Sequence, residues 1–128
     1  PGNVLWTPLD DEGHGGPHFV DLDDARTGPA VQDLWMLLSG DRSQRTRQLG
    51  ALLDGYEQFR PFDRRELTLI EPLRTLRLIH YSAWLARRQD DPIFAINFPW
   101  FGTPDYWRGQ VDMLNEQIEA MQEEPLYA

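Results

Sequence analysis

Cysteine is absent from the 128 residues, which excludes disulfides and thiolate metal sites. Lysine is absent as well: all twelve basic residues are arginine. Any mechanism that needs a lysine must find it elsewhere. No apolar run approaches the roughly 18–20 residues of a membrane span. No basic-then-apolar signal peptide opens the chain. These absences fit a cytoplasmic protein. Positive charge is outweighed, with a net charge of −9. A domain this acidic repels phosphates and makes a poor nucleic-acid binder. There is no internal repeat and no low-complexity segment.

What is present suffices for a core. At 14.9 kDa, with 41% apolar residues, the chain is one domain or a large piece of one. Pro1-Gly2-Asn3 enters an apolar strand at once, whereas natural N-termini usually fray. The expectation is a fragment of a longer protein.

Two short strands come first. Val4-Leu5-Trp6 reads as one and His18 to Leu22 as the other. Between them, Pro8 to Pro17 is rich in Gly and acidic residues, the chemistry of an exposed turn. A hairpin of this form brings Asn3 beside Asp21. Helical patterns follow. Thr27-Gly28-Pro29 starts the first, Val31, Leu34, Trp35 and Leu38 mark its buried face, and Ser39-Gly40 stops it. A second runs from about Arg42 to Phe59. Asp63 caps a third, apolar on most sides and therefore central and buried, with a kink or fresh start at Pro72. Ile93 to Gly102 reads as a packed aromatic loop. Thr103-Pro104-Asp105 opens a last helix whose inner face is Trp107, Val111, Leu114, Ile118 and Met121. Glu123 to Ala128 reads as a tail. The fold class is α+β and mostly helical: a β-hairpin, then about four helices.

The chemistry concentrates in Phe19-Val20-Asp21-Leu22-Asp23-Asp24, where three carboxylates fall within four positions. Such density is costly unless the groups are solvated, capped or neutralised by a cation. Asn3 and Asp21 on adjacent strand ends could hold Mg²⁺ or Mn²⁺ and leave sites for phosphate oxygens, with Asp23 joining directly or through water. A capped acidic turn explains the same residues, and spacing alone leaves both readings open.

An ordered set of motifs then carries a resemblance. Gly2-Asn3-Val4-Leu5-Trp6, Phe19 to Arg26, and Gly28-Pro29-Ala30-Val31-Gln32-Asp33-Leu34-Trp35-Met36-Leu37-Leu38 come in order, followed by Ile70-Glu71-Pro72-Leu73-Arg74, Asn97-Phe98-Pro99-Trp100 and Asp105-Tyr106-Trp107. Together they resemble the bacterial stress-response kinase A (RdoA-like) family, within the choline/aminoglycoside phosphotransferase group of kinase-fold enzymes. The resemblance covers most of the chain. It implies the C-lobe portion of a kinase-like fold and an ATP- and Mg²⁺-dependent kinase acting on Ser/Thr of proteins. By the same resemblance Asn3 matches the catalytic-loop asparagine, a metal ligand. Asp21 matches the metal-binding aspartate, Asp23 the second acid of a D-x-[DE] pattern, and Asp33 a helix aspartate that braces the catalytic-loop backbone.

One departure matters. The family's catalytic aspartate stands five positions before the asparagine, which lies upstream of Pro1. The lobe that grips ATP is missing too. The chain on its own is therefore expected to be inactive, and an exposed lobe interface could make it self-associate. The alternative reading is a catalytically inactive acidic helical module that binds a partner.

Rival motifs fit less well. Asp21-x-Asp23 mimics a haloacid-dehalogenase phosphatase, but Asp24 and Ala25 follow and no lysine exists. An EF-hand fails because Arg26 and Gln32 stand where Gly and Glu are required. His14 and His18 read as exposed bystanders and His80 as a core or boundary residue. Arg74 and Arg77 could receive a phosphate or an acidic substrate, though pairing with internal carboxylates is the commoner role. The aromatic set Phe98, Trp100, Phe101, Tyr106 and Trp107 reads as core packing.

Overall fold

The computed structural model describes residues 2–127. It opens with an antiparallel hairpin of β1 (Val4–Thr7) and β2 (Gly16–Phe19). Val4 pairs with Phe19, Leu5 with His18, Trp6 with Pro17 and Thr7 with Gly16. Val20 adds a rung by donating its N–H to the Asn3 carbonyl at 3.1 Å. The second strand thus lies earlier than His18–Leu22. A two-stranded ribbon has two edges, so Pro17 can sit in it without breaking a ladder. Asp21 ends the pairing by turning into the left-handed region at φ 60°. The connecting loop is closed by the Asp10 carboxylate, which accepts from the backbone N–H groups of Glu12 and His14. Gly15 is required there: at φ +127° a Cβ on it would collide with the Pro8 carbonyl oxygen. Among the described residues neither strand packs against a helix.

Among the described residues five α-helices and one 3-10 segment follow, against the expected four helices. Helix α1 (Val31–Trp35) is shorter than the sequence suggests and ends before Ser39-Gly40. Ala30 offers it no side-chain cap. The cap comes instead from Glu66, whose carboxylate accepts the Val31 N–H at 2.9 Å. Helix α2 (Arg42–Tyr56) starts from a capping box in which Asp41 and Gln44 satisfy each other's backbone N–H. It stops short of Phe59, which is exposed.

Asp63 does act as a cap, but of the 3-10 segment Arg64–Leu69. The fresh start near Pro72 is real. Helix α3 (Ile70–Ala86) begins two residues earlier, where the first turn tolerates a missing donor. The aromatic segment holds a short helix, α4 (Phe94–Asn97), in place of an unbroken loop. Helix α5 (Pro104–Ala120) starts as expected, with the Thr103 side chain accepting from Tyr106 N–H at 3.2 Å.

The core lies among α1, α2, the 3-10 segment and the start of α3. Val31, Leu34, Leu49, Leu53 and Ile70 fill it. Leu126 joins them, so the C-terminal stretch is not a free tail. Arg42 anchors it by donating to the carbonyls of Glu124 and Pro125. Two expectations fail outside this core. Helix α3 is not buried on most sides, since Leu76, Ile79 and Tyr81 are exposed. The face of α5 turned toward α3 is not the most apolar one. Trp107, Val111 and Ile118 face solvent, while Ser82 bonds Tyr106 and Gln110 and Thr75 bonds Gln117.

Two outcomes follow for this chain. Leu53→Ala lowers its stability by about 2–5 kcal/mol in urea denaturation, from lost burial plus a cavity, whereas Ile118→Ser shifts it by no more than about 0.5 kcal/mol. The Asp63 carboxyl is held down to about 2, first by the Arg65 guanidinium and then by the Arg65 backbone N–H. A depressed acid stabilises the folded chain above its unfolded value of 3.8 and loses that contribution as pH falls through about 2. In an NMR titration Arg65→Ala raises the Asp63 midpoint toward the ordinary value.

Candidate functional site

The open end of the hairpin assembles the site. Asn3 immediately precedes β1 and Asp21 lies two residues beyond β2, so the Val4–Phe19 pairing sets them side by side. The Asn3 Nδ2 donates to Asp21 Oδ2 at 3.2 Å. Both side chains are exposed. Asp21 is the one non-glycine residue with positive φ among the described residues. That conformation costs an L-residue roughly 1–2 kcal/mol, least for Asp and Asn. Such strain is often retained at functional positions.

Beyond Asp21 the chain turns at once, with Ala25 N–H donating to the Leu22 carbonyl at 3.0 Å. Asp23 and Asp24 ride on this turn and face solvent. Asp24 lies 3.9 Å from the Arg26 guanidinium. Asp23 follows Asp21 by two positions on the same turn, with its side chain exposed. No group of three or more His, Cys, Asp or Glu converges as a ready-made metal cage among the described residues. The pair the structure holds in contact is one amide and one carboxylate. Turned about its last bond, the Asn3 amide presents Oδ1 in place of Nδ2. Two hard oxygens suit a Mg²⁺ that keeps most of its positions for water and phosphate.

The other candidates divide. Asp33 falls in the first turn of α1 with its side chain exposed. His14 pairs with Asp10 at 3.1 Å, and His18 meets the Thr7 hydroxyl at 2.8 Å, so both serve the hairpin. His80 is exposed rather than a core residue. Arg74 takes the internal role, with Glu71 at 3.3 Å and the Trp35 ring 5.6 Å below its guanidinium. Arg77 is exposed and meets no carboxylate among the described residues. The aromatic set packs ring against ring, with Phe101 5.0 Å from Tyr106 and 5.5 Å from Phe94 between ring centres, but none of its five members is buried and it lies outside the core, contrary to the expectation of core packing. Trp100 and Trp107 remain largely exposed at its edge.

Sequence reasoning missed a groove of about 730 Å³ between α1, α3 and α5. Trp35, Arg74, Arg77, Tyr81 and Trp84 line it. The signal was available: residues 74, 77, 81 and 84 recur at helical spacing.

Comparison with known proteins settles the family. The model of the phosphotransferase enzyme family matches residues 1–70, which spans the hairpin, α1, α2 and the 3-10 segment. This chain belongs to the phosphotransferase enzyme family. Within that family it is similar to stress response kinase A of Escherichia coli K12, with 53% identity over 125 residues. It is also 52% identical to stress response kinase A of Shigella flexneri and 50% identical to the serine/threonine protein kinase RdoA of Salmonella typhimurium LT2. Each alignment covers 98% of this chain but 36% of the relative. The chain thus spans about a third of the length of the curated relatives it matches. The resemblance drawn from the ordered motifs is borne out, as is the helical C-lobe architecture with its hairpin. No helix among the described residues is long and apolar enough to cross a membrane.

The strain at Asp21 is open to measurement. Asp21→Ala and Asp21→Gly both delete the bond to Asn3, but only glycine accepts the positive φ freely. The Val20 amide, which bonds the Asn3 carbonyl, should exchange with solvent faster in the alanine variant by about tenfold, the equivalent of about 1.4 kcal/mol. Equal exchange in the two variants would show that the turn relaxes.

Proposed function

We propose that this chain is the metal-binding part of an ATP- and Mg²⁺-dependent serine/threonine protein kinase of the stress-response type. The observation that carries the reading is the Asn3–Asp21 pair, one amide and one carboxylate held together at 3.2 Å by strand register. Family membership and the kinase names of the relatives support it.

Phosphoryl transfer needs a positioned metal, a base for the attacking hydroxyl and cations on the phosphates. Asn3 and Asp21 would supply metal ligands here, with Asp23 reached through water. Bound Mg²⁺ would offset the charge on the phosphate oxygens. Exposure of the pair leaves room for the nucleotide. The base and the residues that grip ATP would belong to the remaining two-thirds of a chain of the relatives' length. The protein would act in the cytoplasm.

A second reading rests on the exposed apolar residues of α5. Trp107, Val111 and Ile118 suit a partner-binding acidic helical module without catalysis. A partner complex that forms without nucleotide and survives Asp21→Asn would favour it.

The kinase reading is tested by phosphate transfer from ATP to serine and threonine in proteins, with Mg²⁺ present. The full-length protein should transfer phosphate, and Asp21→Asn should slow it by about a hundredfold or more. The 128 residues alone should transfer none. Transfer that is indifferent to Asp21→Asn would overturn the assignment of the pair.

A further inference from the structure

Charge on this chain is uneven. Against a net −9 overall, residues 70–88 hold four arginines, at 74, 77, 87 and 88, and a single carboxylate, Glu71. Two of those arginines face the groove between α1, α3 and α5. Arg74 is held in place: Glu71 sits behind it at 3.3 Å and Trp35 packs against its face. Its Nε, facing Glu71, and its Nη2 are buried, which leaves Nη1 as the donor an incoming group can reach. Arg77, one turn on, is solvent-exposed and lacks a carboxylate partner among the described residues. Tyr81 and Trp84 stack at 6.2 Å and continue the same wall.

We propose that this groove docks an acidic, extended peptide segment of the protein substrate, an inference that rests on the kinase reading above. The occupant follows from complementarity. Residues one helical turn apart stand about 5–6 Å apart at Cβ. Carboxylates at positions i and i+2 of an extended peptide stand about 6.6 Å apart. Asp-x-Asp or Glu-x-Glu therefore spans Arg74 and Arg77: the exposed Arg77 guanidinium can take one carboxylate in a bidentate fashion, and Arg74 Nη1 donates singly to the other. Apolar portions of the peptide would lie on Tyr81 and Trp84. A long polyanion such as RNA would instead pass over the acidic remainder of the surface. A short peptide feels little of that charge beyond the screening distance of about 8 Å at physiological salt.

Arg77 is the residue to change, because removing Arg74 would strand Glu71 and disturb the packing on Trp35. The full-length protein is titrated into a labelled serine-containing peptide bearing Asp-x-Asp, with an Asn-x-Asn peptide and a single-stranded oligonucleotide as comparisons. Fluorescence anisotropy reads the affinity. The acidic peptide should bind at least tenfold tighter than its amide counterpart. Arg77→Ala should abolish the preference, Arg77→Lys should recover part of it, and ATP affinity should stay unchanged in both. Equal binding of the two peptides, tighter binding of the oligonucleotide, or wild-type affinity in Arg77→Ala would each overturn the proposal. Binding is read without turnover, so the two readings fail separately. Acidic-peptide docking without phosphate transfer sinks the kinase reading, and transfer without acidic preference sinks the groove.

Discussion

Glu71 is the joint on which the helical part depends. Its carboxylate receives Arg45 of α2 at 3.1 Å and Arg74 of its own helix at 3.3 Å. Arg74 in turn packs on Trp35 of α1. One acid thus ties three helices beside the apolar core. All three charged side chains are largely removed from water, at 19–26% exposure. Desolvation at that depth offsets much of the Coulombic gain. Arg45 Nε and Arg74 Nη2 are buried without a hydrogen bond, and Arg74 Nε meets Glu71 without hydrogen-bond alignment, which adds to the cost. The cluster therefore contributes orientation more than stability. It fixes the rotation of α3 about its axis, and that rotation decides which residues reach the groove.

The hairpin is governed by a different constraint. It gains nothing from the helices, and an isolated two-stranded ribbon is marginal in water. Its register nevertheless carries the chemistry. A slip of one residue would place Asn3 opposite the wrong neighbour and reverse which face each side chain occupies. The Val20–Asn3 rung, the Asn3–Asp21 bond and the left-handed turn at Asp21 all act at the same end, against such a slip.

Much of this was legible in the chain itself. The turn-rich stretch between two apolar segments announced the hairpin, and antiparallel geometry then required Asn3 and Asp21 to meet. Pro104 behind Thr103, and Asp63 before Arg64, marked real starts because capping is local chemistry. What stayed hidden was long-range. Glu66 caps α1 from 35 positions away, and no local pattern encodes that. Leu126 sits in the core although no periodicity surrounds it. The packed face of α5 was misplaced because apolar periodicity reports hydrophobic seams. This seam is built from Ser82, Tyr106, Gln110, Thr75 and Gln117.

The central claim is that Asn3 and Asp21 together bind a divalent cation. Paramagnetic broadening by Mn²⁺, read residue by residue in the NMR spectrum of the full-length protein with ATP, tests it most directly. The account predicts that broadening centres on Asn3, Val20 and Asp21, falls off through Asp23 and Asp24, and disappears from that centre in Asp21→Asn. Broadening centred on the Asp10–His14 loop, or spread evenly over every acidic surface residue, would contradict it.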